Sequence, residues 1–275
     1  FRVGGKVSLF FRPTTVEEIL GICKALKVEG IRPFLMGRGS NLLVTDENLE
    51  GAVIQLAENF SACRKEGECG LYAQAGTTLV RLAQEAQNYG LTGLEFAGGI
   101  PGALGGGVSM NAGAYGGEMK DVLVSVDVLT KELEVKTIPA EELELGYRHS
   151  IVPEAGYIVL GAKLKLTKGE DAAIRGRMAE LAEQRREKQP LQYPSAGSTF
   201  KRPEGYFAGK LVQDAGLKGK TIGGAQVSEK HSGFLINIGG ATAQDILDLI
   251  AFCQKEVQTQ FGVTLETEVK IVGEE

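Results

Sequence analysis

Residues 93–117, GLEFAGGIPGALGGGVSMNAGAYGG, place ten glycines in twenty-five positions, and no other stretch of the 275-residue chain restricts its fold as strongly. A backbone this bare is chosen for torsions that other residues avoid, or for close approach to another group. Read alone, it also fits a surface loop. The whole chain has 38 glycines, about twice the ~7% of an average protein, without a collagen period or a low-complexity tract to explain them. The excess is therefore local. A second bare segment, Gly37-Arg38-Gly39-Ser40-Asn41, sits between two apolar runs, where consecutive N–H groups of a glycine turn can converge on an anion such as a diphosphate. The long tract supplies Gly98-Gly99-Ile100-Pro101-Gly102 and Asn111-Ala112-Gly113-Ala114-Tyr115-Gly116, a backbone wall suited to a flat, extended cofactor.

Composition removes several classes. No apolar run reaches the ~18 residues of a membrane span. Thirty Lys+Arg against thirty-five Asp+Glu give a net charge of −5, so no global basic field favours a nucleic acid. The cysteines Cys23, Cys63, Cys69 and Cys253 lack Cys-x-x-Cys spacing, and His149 and His231 lie far apart, so no metal centre is expected. Reduced thiols are expected, and with them a cytoplasmic protein. The chain opens on FRVGGK with neither a starting Met nor a signal-peptide pattern, as expected where the first native residues are missing.

Periodicity predicts an α+β chain. Thr15-x-x-Glu18 is a capping-box pattern ahead of a helix over 16–28, and Thr242-x-x-Asp245 opens another over 243–260. Further helices are expected at 78–88, 172–188 and 207–214. Strands are expected at 33–36, 42–44, 53–56, 71–75, 121–129, 157–166, 233–238 and 264–272. In the last of these, Leu265, Thr267, Val269 and Ile271 share one face while Glu266, Glu268 and Lys270 share the other. A change in composition puts a domain boundary near 167.

The common nucleotide signatures fail. Gly37-x-Gly39 has Leu42 where a dinucleotide fingerprint needs glycine, Asp214 replaces the first glycine of a P-loop ahead of Gly219-Lys220-Thr221, and no Gly-x-Ser-x-Gly elbow occurs.

Five blocks together, GRGSNLLV (37–44), EFAGGIPGALGGGVSMNAGAYGGE (95–118), YRHS (147–150), PSAGSTFKRP (194–203) and LETEVKIVG (265–273), resemble the UDP-N-acetylenolpyruvoylglucosamine reductase family. The resemblance runs over nearly the whole chain and implies a flavoprotein fold of the vanillyl-alcohol-oxidase (PCMH) type. It divides the chain into FAD-binding subdomains at 1–53 and 54–166 and an α+β substrate-binding domain at 167–275, whose closing strand carries a catalytic glutamate. With no inserted loop between Ser150 and the 157–166 strand, it is similar to the family's shorter second class.

The resemblance implies non-covalent FAD and NADPH as reductant, with no membrane, nucleic-acid or protein partner. The flavin would lie on Gly37, Arg38, Gly39, Ser40, Asn41, the 98–102 segment, Gly105, Gly106, Asn111, Ala112, Gly113, Ala114 and Tyr115. Carried over by position, the proton donor is Ser198, the catalytic arginine Arg148 and the catalytic glutamate Glu268, chosen over Glu266 because it directly precedes the Val of VKIVG. Tyr147, Arg185, Lys188, Arg202, Lys230 and His231 are candidates for the UDP-sugar, Arg185 being equally readable as part of a solvated helix face. Lys270 stands where the family often has arginine, without the bidentate fork. Two alternatives remain: an FAD oxidase of related fold, disfavoured by the lack of a tethering His or Cys in the glycine tracts, and a colourless UDP-sugar binding protein.

Overall fold

The strand signals at 71–75, 121–129 and 157–166 converge on one antiparallel sheet. The structure, a computed structural model, describes residues 1–273. Its first half contains β1 (Val7–Phe11), α1 (Val16–Val28), β2 (Phe34–Met36), β3 (Leu42–Val44), β4 (Leu49–Gln55), β5 (Cys63–Glu66), β6 (Gly70–Gln74), α2 (Leu79–Asn88), β7 (Leu91–Thr92), α3 (Leu104–Ser109), β8 (Gly113–Ala114), β9 (Gly117–Glu118), β10 (Leu123–Leu129) and β11 (Val135–Pro139). There follow α4 (Val152–Ala155), β12 (Ile158–Lys165), β13 (Thr167–Lys168), α5 (Asp171–Lys188), α6 (Ala208–Asp214), β14 (Thr221–Ile222), β15 (Ala225–Val227), β16 (Leu235–Asn237), α7 (Ala243–Phe261) and β17 (Lys270–Val272). Two compact units result: a larger one of Leu9–Gly39 and Gly51–Gln184, and a smaller one of Phe1–Ser8, Ser40–Glu50 and the chain from Arg185 on. Among the described residues no helix is long and apolar enough to cross a membrane.

In the larger unit the sheet runs β11-β10-β12-β6-β5. Register places Val126 opposite Ala162, and Ala162 opposite Ala73, so all three buried side chains share one face of the core. On the other face Tyr72 donates to Asp127 across Gly161, whose bare Cα leaves the space that the phenol fills. Burial, helped by that hydrogen bond, pushes the Tyr72 pKa up to about 12. Helix α1 buries Ile19, Cys23 and Leu26, and α2, capped by Thr78, buries Leu79, Leu82, Ala83 and Ala86 in the same core. The glycine tract is not a loop. It folds as a 3-10 turn over Glu95–Gly99, helix α3 and the β8–β9 hairpin.

The smaller unit forms because β3 pairs in parallel with β17, matching Leu43 to Ile271. The Asp46 carboxylate accepts from the N–H groups of Ala243 and Gln244 at the start of α7, adding to the Thr242–Asp245 capping box. These ties join residues 40–50, expected with the first subdomain, to the C-terminal part of the chain. Helix α7 buries Ile246, Leu249, Ile250, Cys253 and Val257 against Leu43, Val227 and Leu235 on the β14-β15-β16 sheet and its surroundings. The Cys253 thiol is pushed up to about 12 by burial, so it is an inert packing group.

The closing strand differs from the expectation of 264–272. Regular pairing is confined to β17, because the preceding residues pair with 199–201 instead: Lys201 N–H donates to Glu266 O, Glu268 N–H donates to Thr199 O, and Phe200 and Thr267 form an isolated bridge.

A methyl on Gly76 would lie on the carbonyl oxygens of Ala57 and Phe60, whereas one on Gly21, exposed within α1, would meet nothing within 4 Å. Gly76→Ala is expected to destabilise by at least about 3 kcal/mol, the top of the ordinary overpacking range. Gly21→Ala should stabilise by about 0.5–1 kcal/mol. Urea midpoints at unchanged slope measure both.

Candidate active site

Helix α3 is an unfavourable helix on propensity: LGGGVS places three glycines in six residues, each costing ~1 kcal/mol against alanine. Packing explains two of them. A Cβ at Gly105 would stand 3.1 Å from the Ala75 methyl, and one at Gly107 3.3 Å from the Leu79 side chain. The helix is laid this close because Leu104 N–H donates to Thr77 O and Gly105 N–H to Ala75 O, both at 2.8 Å. Gly106 has no such reason. It is exposed, and a Cβ there would meet nothing within 4 Å.

Around α3, Gly98, Gly99, Ile100 and Gly102 are half-buried and Pro101 is exposed. Ala112 is buried and leads into the β8–β9 hairpin, whose turn is Tyr115-Gly116 with φ of +53° and +87°. Two left-handed residues make a type I′ turn, a place where Asn-Gly is usual and an exposed tyrosine is an uncommon choice. Gly37 is packed against Ala103, at 3.2 Å from a notional Cβ, and its carbonyl accepts from Gln55 Nε2. The neighbouring Arg38 makes an exposed ion pair with Glu58.

Arg148 belongs to the larger unit too. Gly146 and His149 exchange backbone hydrogen bonds around Tyr147-Arg148, and Arg148 has a φ of +53°. For a residue other than glycine this conformation costs about 1 kcal/mol, and such strain collects at functional sites. The turn is anchored to the glycine tract. Arg148 Nη2 donates to Gly113 O at 3.2 Å, Asn111 Nδ2 donates to Gly146 O at 3.0 Å, and Ser150 Oγ donates to Ser109 O at 2.7 Å. Arg148 is half-buried, with its guanidinium carbon 5.0 Å from the ring centre of Tyr147, which is 54% exposed.

The smaller unit brings Ser198, Glu268 and Asn41 into one hydrogen-bonded frame. Gly197, with φ of +78°, turns the chain so that Ser198 is half-buried beside the fully buried Thr199. Thr199 N–H donates to Gly233 O, its hydroxyl accepts from Leu235 N–H, and its carbonyl accepts from Glu268 N–H at 2.8 Å. Asn41 Nδ2 donates to Glu268 O and Lys270 N–H to Asn41 O, both at 3.0 Å. Exposure separates the two glutamates: Glu268 is half-buried, whereas the Glu266 side chain is 71% exposed and paired with Lys201. Ser40, beside Asn41, is half-buried as well. The block PSAGSTFKRP contains Thr199, but nothing in the sequence shows that its backbone and hydroxyl bond at once to Gly233, to Leu235 of β16 and to Glu268.

The remaining cations of this unit are more dispersed. Lys188 is exposed and Arg185 half-buried in the last turn of α5. Lys230 Nζ donates to Arg186 O. Arg202 lies 3.9 Å over the Phe207 ring and donates through Nε to Tyr206 O. His231 is a different kind of group: burial pushes its pKa down from 6.5, and Nδ1 accepts Gly233 N–H, leaving a neutral ring at pH 7 that offers Nε2–H.

Comparison with known proteins supplies the class. Residues 189–272 match the family described as UDP-N-acetylenolpyruvoylglucosamine reductase, C-terminal domain, and residues 7–138 match an FAD binding domain. The chain is 50% identical over 273 residues to the UDP-N-acetylenolpyruvoylglucosamine reductase of Clostridium perfringens, covering 99% of this chain and 89% of that protein. The Clostridioides difficile relative is 49% identical over 275 residues, with 100% and 90% covered. The chain belongs to the UDP-N-acetylenolpyruvoylglucosamine reductase family. The crystal structure of the Thermus caldophilus reductase superimposes with a TM-score of 0.82 at 38% identity, covering 96% of this chain and 92% of that one. As a member of this reductase family the chain is an FAD-dependent oxidoreductase with a PCMH-type FAD-binding region followed by the reductase C-terminal domain.

The glycine tract fits a flavin. Gly106 is exposed and a Cβ there would meet nothing within 4 Å, so α3 offers bare backbone to which a planar ring could come close. Gly106→Ala is therefore expected to raise apo-protein stability by roughly 0.5–1 kcal/mol, as in any exposed helix, while weakening FAD retention. Thermal unfolding of the apo form and flavin titration measure the two effects. Thr199→Val should cost about 1–3 kcal/mol, because it orphans the buried Leu235 N–H. Thr199→Ser should lose much less in the same unfolding experiment.

Proposed function

We propose that this chain catalyses the NADPH-dependent reduction of UDP-N-acetylglucosamine enolpyruvate to UDP-N-acetylmuramate, a step of peptidoglycan precursor synthesis, in the cytoplasm. The family supports the reaction class, and its four unpaired cysteines support the compartment. The observation that carries the assignment of roles is the Ser198 frame: half-buried Ser198 adjoins the buried Thr199, whose carbonyl accepts the backbone N–H of half-buried Glu268.

Bound FAD supplies the hydride relay between NADPH and the enolpyruvyl ether. Gly106 and the segments at 98–102 and 111–115 hold it through backbone. In the smaller unit Ser40 and Asn41 contribute, Asn41 also fixing the Glu268 backbone. Asn111, its side chain already committed inside the protein, contributes through its main chain.

Hydride addition to the terminal carbon of the enol ether leaves negative charge on the carbon bearing the carboxylate and on the carboxylate itself. Arg148 holds that charge as a fixed cation, a stabilisation worth most where its direction is set in advance. Glu268 assists by hydrogen bonding, and Ser198 Oγ gives its proton to the carbon, completing the lactyl ether. A hydroxyl is a weak acid, so this transfer depends on the serine being held in place and on nearby positive charge, which Lys188 supplies in this reading. Arg202, Lys230 and Arg185 meet the diphosphate, with Tyr147 and the neutral His231 as hydrogen-bonding and stacking partners of the nucleotide sugar.

Two half-reactions test this reading. NADPH should bleach the flavin band anaerobically and UDP-N-acetylglucosamine enolpyruvate should restore it. Failure of that substrate to accelerate anaerobic recovery would exclude the reductase, whereas an oxidase would recover only with oxygen. Ser198→Ala should leave bleaching nearly unchanged and slow recovery by about 10²–10⁴-fold, the scale of losing a positioned general acid. Stopped-flow absorbance reads both steps, and unslowed recovery would remove Ser198 as the donor.

A further inference from the structure

Asn111 is fully buried, holds a φ of +44°, and has its side chain bonded at both ends. Its Nδ2 donates to Glu118 Oε2 at 2.6 Å and to Gly146 O at 3.0 Å, while Oδ1 accepts from Lys120 N–H at 2.9 Å. Two of these partners belong to the segment that closes the β8–β9 hairpin. The third is the first residue of the turn that carries Arg148. We infer that Asn111 is a positioning residue for Arg148: it fixes the Gly146 carbonyl, and so the left-handed turn, against the glycine tract, and thereby aims the guanidinium at the substrate carboxylate.

Three features favour this reading over a cofactor contact by the side chain. Both Nδ2 protons are already placed, one on a carboxylate and one on the Gly146 carbonyl, leaving the amide no further donor. The Arg148 turn holds an uncommon torsion, which persists only where neighbours over-determine it, and the Asn111 bond is one of the three that tie it to the glycine tract. Asparagine is also the side chain best suited to its own left-handed position, where alanine would be strained. Arg148 bonds to Gly113 O two residues further on, so the turn is held from both sides of Ala112.

The proposal rests on the reading of Arg148 as the carboxylate holder, and the test separates the two. UDP-N-acetylmuramate carries the lactyl carboxylate, and UDP-N-acetylglucosamine lacks it. The ratio of their dissociation constants on the oxidised, FAD-loaded enzyme, measured by calorimetry, isolates recognition of that group. Arg148→Ala should reduce the preference about tenfold or more, the scale of a lost charge-assisted hydrogen bond. Asn111→Gly, which tolerates the backbone torsion, should reduce it about three- to tenfold while UDP-N-acetylglucosamine binding to the FAD-loaded enzyme stays near wild type. The double variant should match Arg148→Ala alone. Asn111→Asp, which keeps the acceptor for Lys120 but cannot donate to Gly146 O, should behave like Asn111→Gly.

Equal weakening of both ligands in the Asn111 variants would overturn the proposal, as would failure of both variants to fold, since either marks a purely structural residue. If Arg148→Ala lowers the preference and the Asn111 variants do not, the proposal fails and the role of Arg148 stands. If Arg148→Ala leaves the preference unchanged, the role of Arg148 falls, and any effect of Asn111 does not run through it.

Discussion

Backbone-to-backbone contact, with no side chain between, is what the larger unit depends on. The N–H groups of Leu104 and Gly105 donate to the carbonyls of Thr77 and Ala75, and Leu79 N–H donates to Gly102 O. These three bonds join the end of β6, the start of α2 and the start of α3, and the close approach is eased by Gly105 and Gly107, where a Cβ would stand only 3.1 Å from Ala75 and 3.3 Å from Leu79. The poor helix propensity of LGGGVS is offset by this fit and by the burial of Leu104 and Val108 in the core. Gly106 gains nothing from it: it is exposed, and a Cβ there would meet nothing within 4 Å.

The same tract then organises the chemistry. Ser109, Asn111 and Gly113 each bond to the 146–150 turn, so the glycine tract holds the torsion of Arg148. In the smaller unit Thr199 does comparable work, joining the Ser198 turn to β16 and to the approach of β17. Each proposed catalytic group thus stands on a connecting segment held by hydrogen bonds to other segments of its unit, the arrangement that keeps a loop residue within the narrow geometry catalysis demands.

Much of this was legible beforehand. Thr78 and Thr242 begin their helices as capping patterns predict, the alternating strands at 71–75, 121–129 and 157–166 form one sheet, and five sequence blocks led to the reductase family. The capping at Thr15 is partly shifted, since Glu18 returns its carboxylate to Thr14. Helix α3 was hidden because propensity argues against it and only tertiary contact supports it. The 264–269 segment reads as strand by alternation, yet its partners at 199–201 are too few for a ladder. His231 reads as a possible cation, but local burial makes it neutral. Asn111 reads as part of a cofactor wall, whereas its side chain points to Gly146, a residue thirty-five positions away whose proximity no local pattern reveals.

We propose that Gly106, the glycine of α3 that packing does not require, is bare because a flavin lies against this tract. Hydrogen-exchange mass spectrometry of the apo protein with and without FAD tests this directly, by comparing peptides that cover residues 97–103 and 105–116. The account predicts that FAD slows exchange in both segments more than elsewhere in the larger unit. Unchanged exchange across both segments in protein that has demonstrably bound FAD would contradict it.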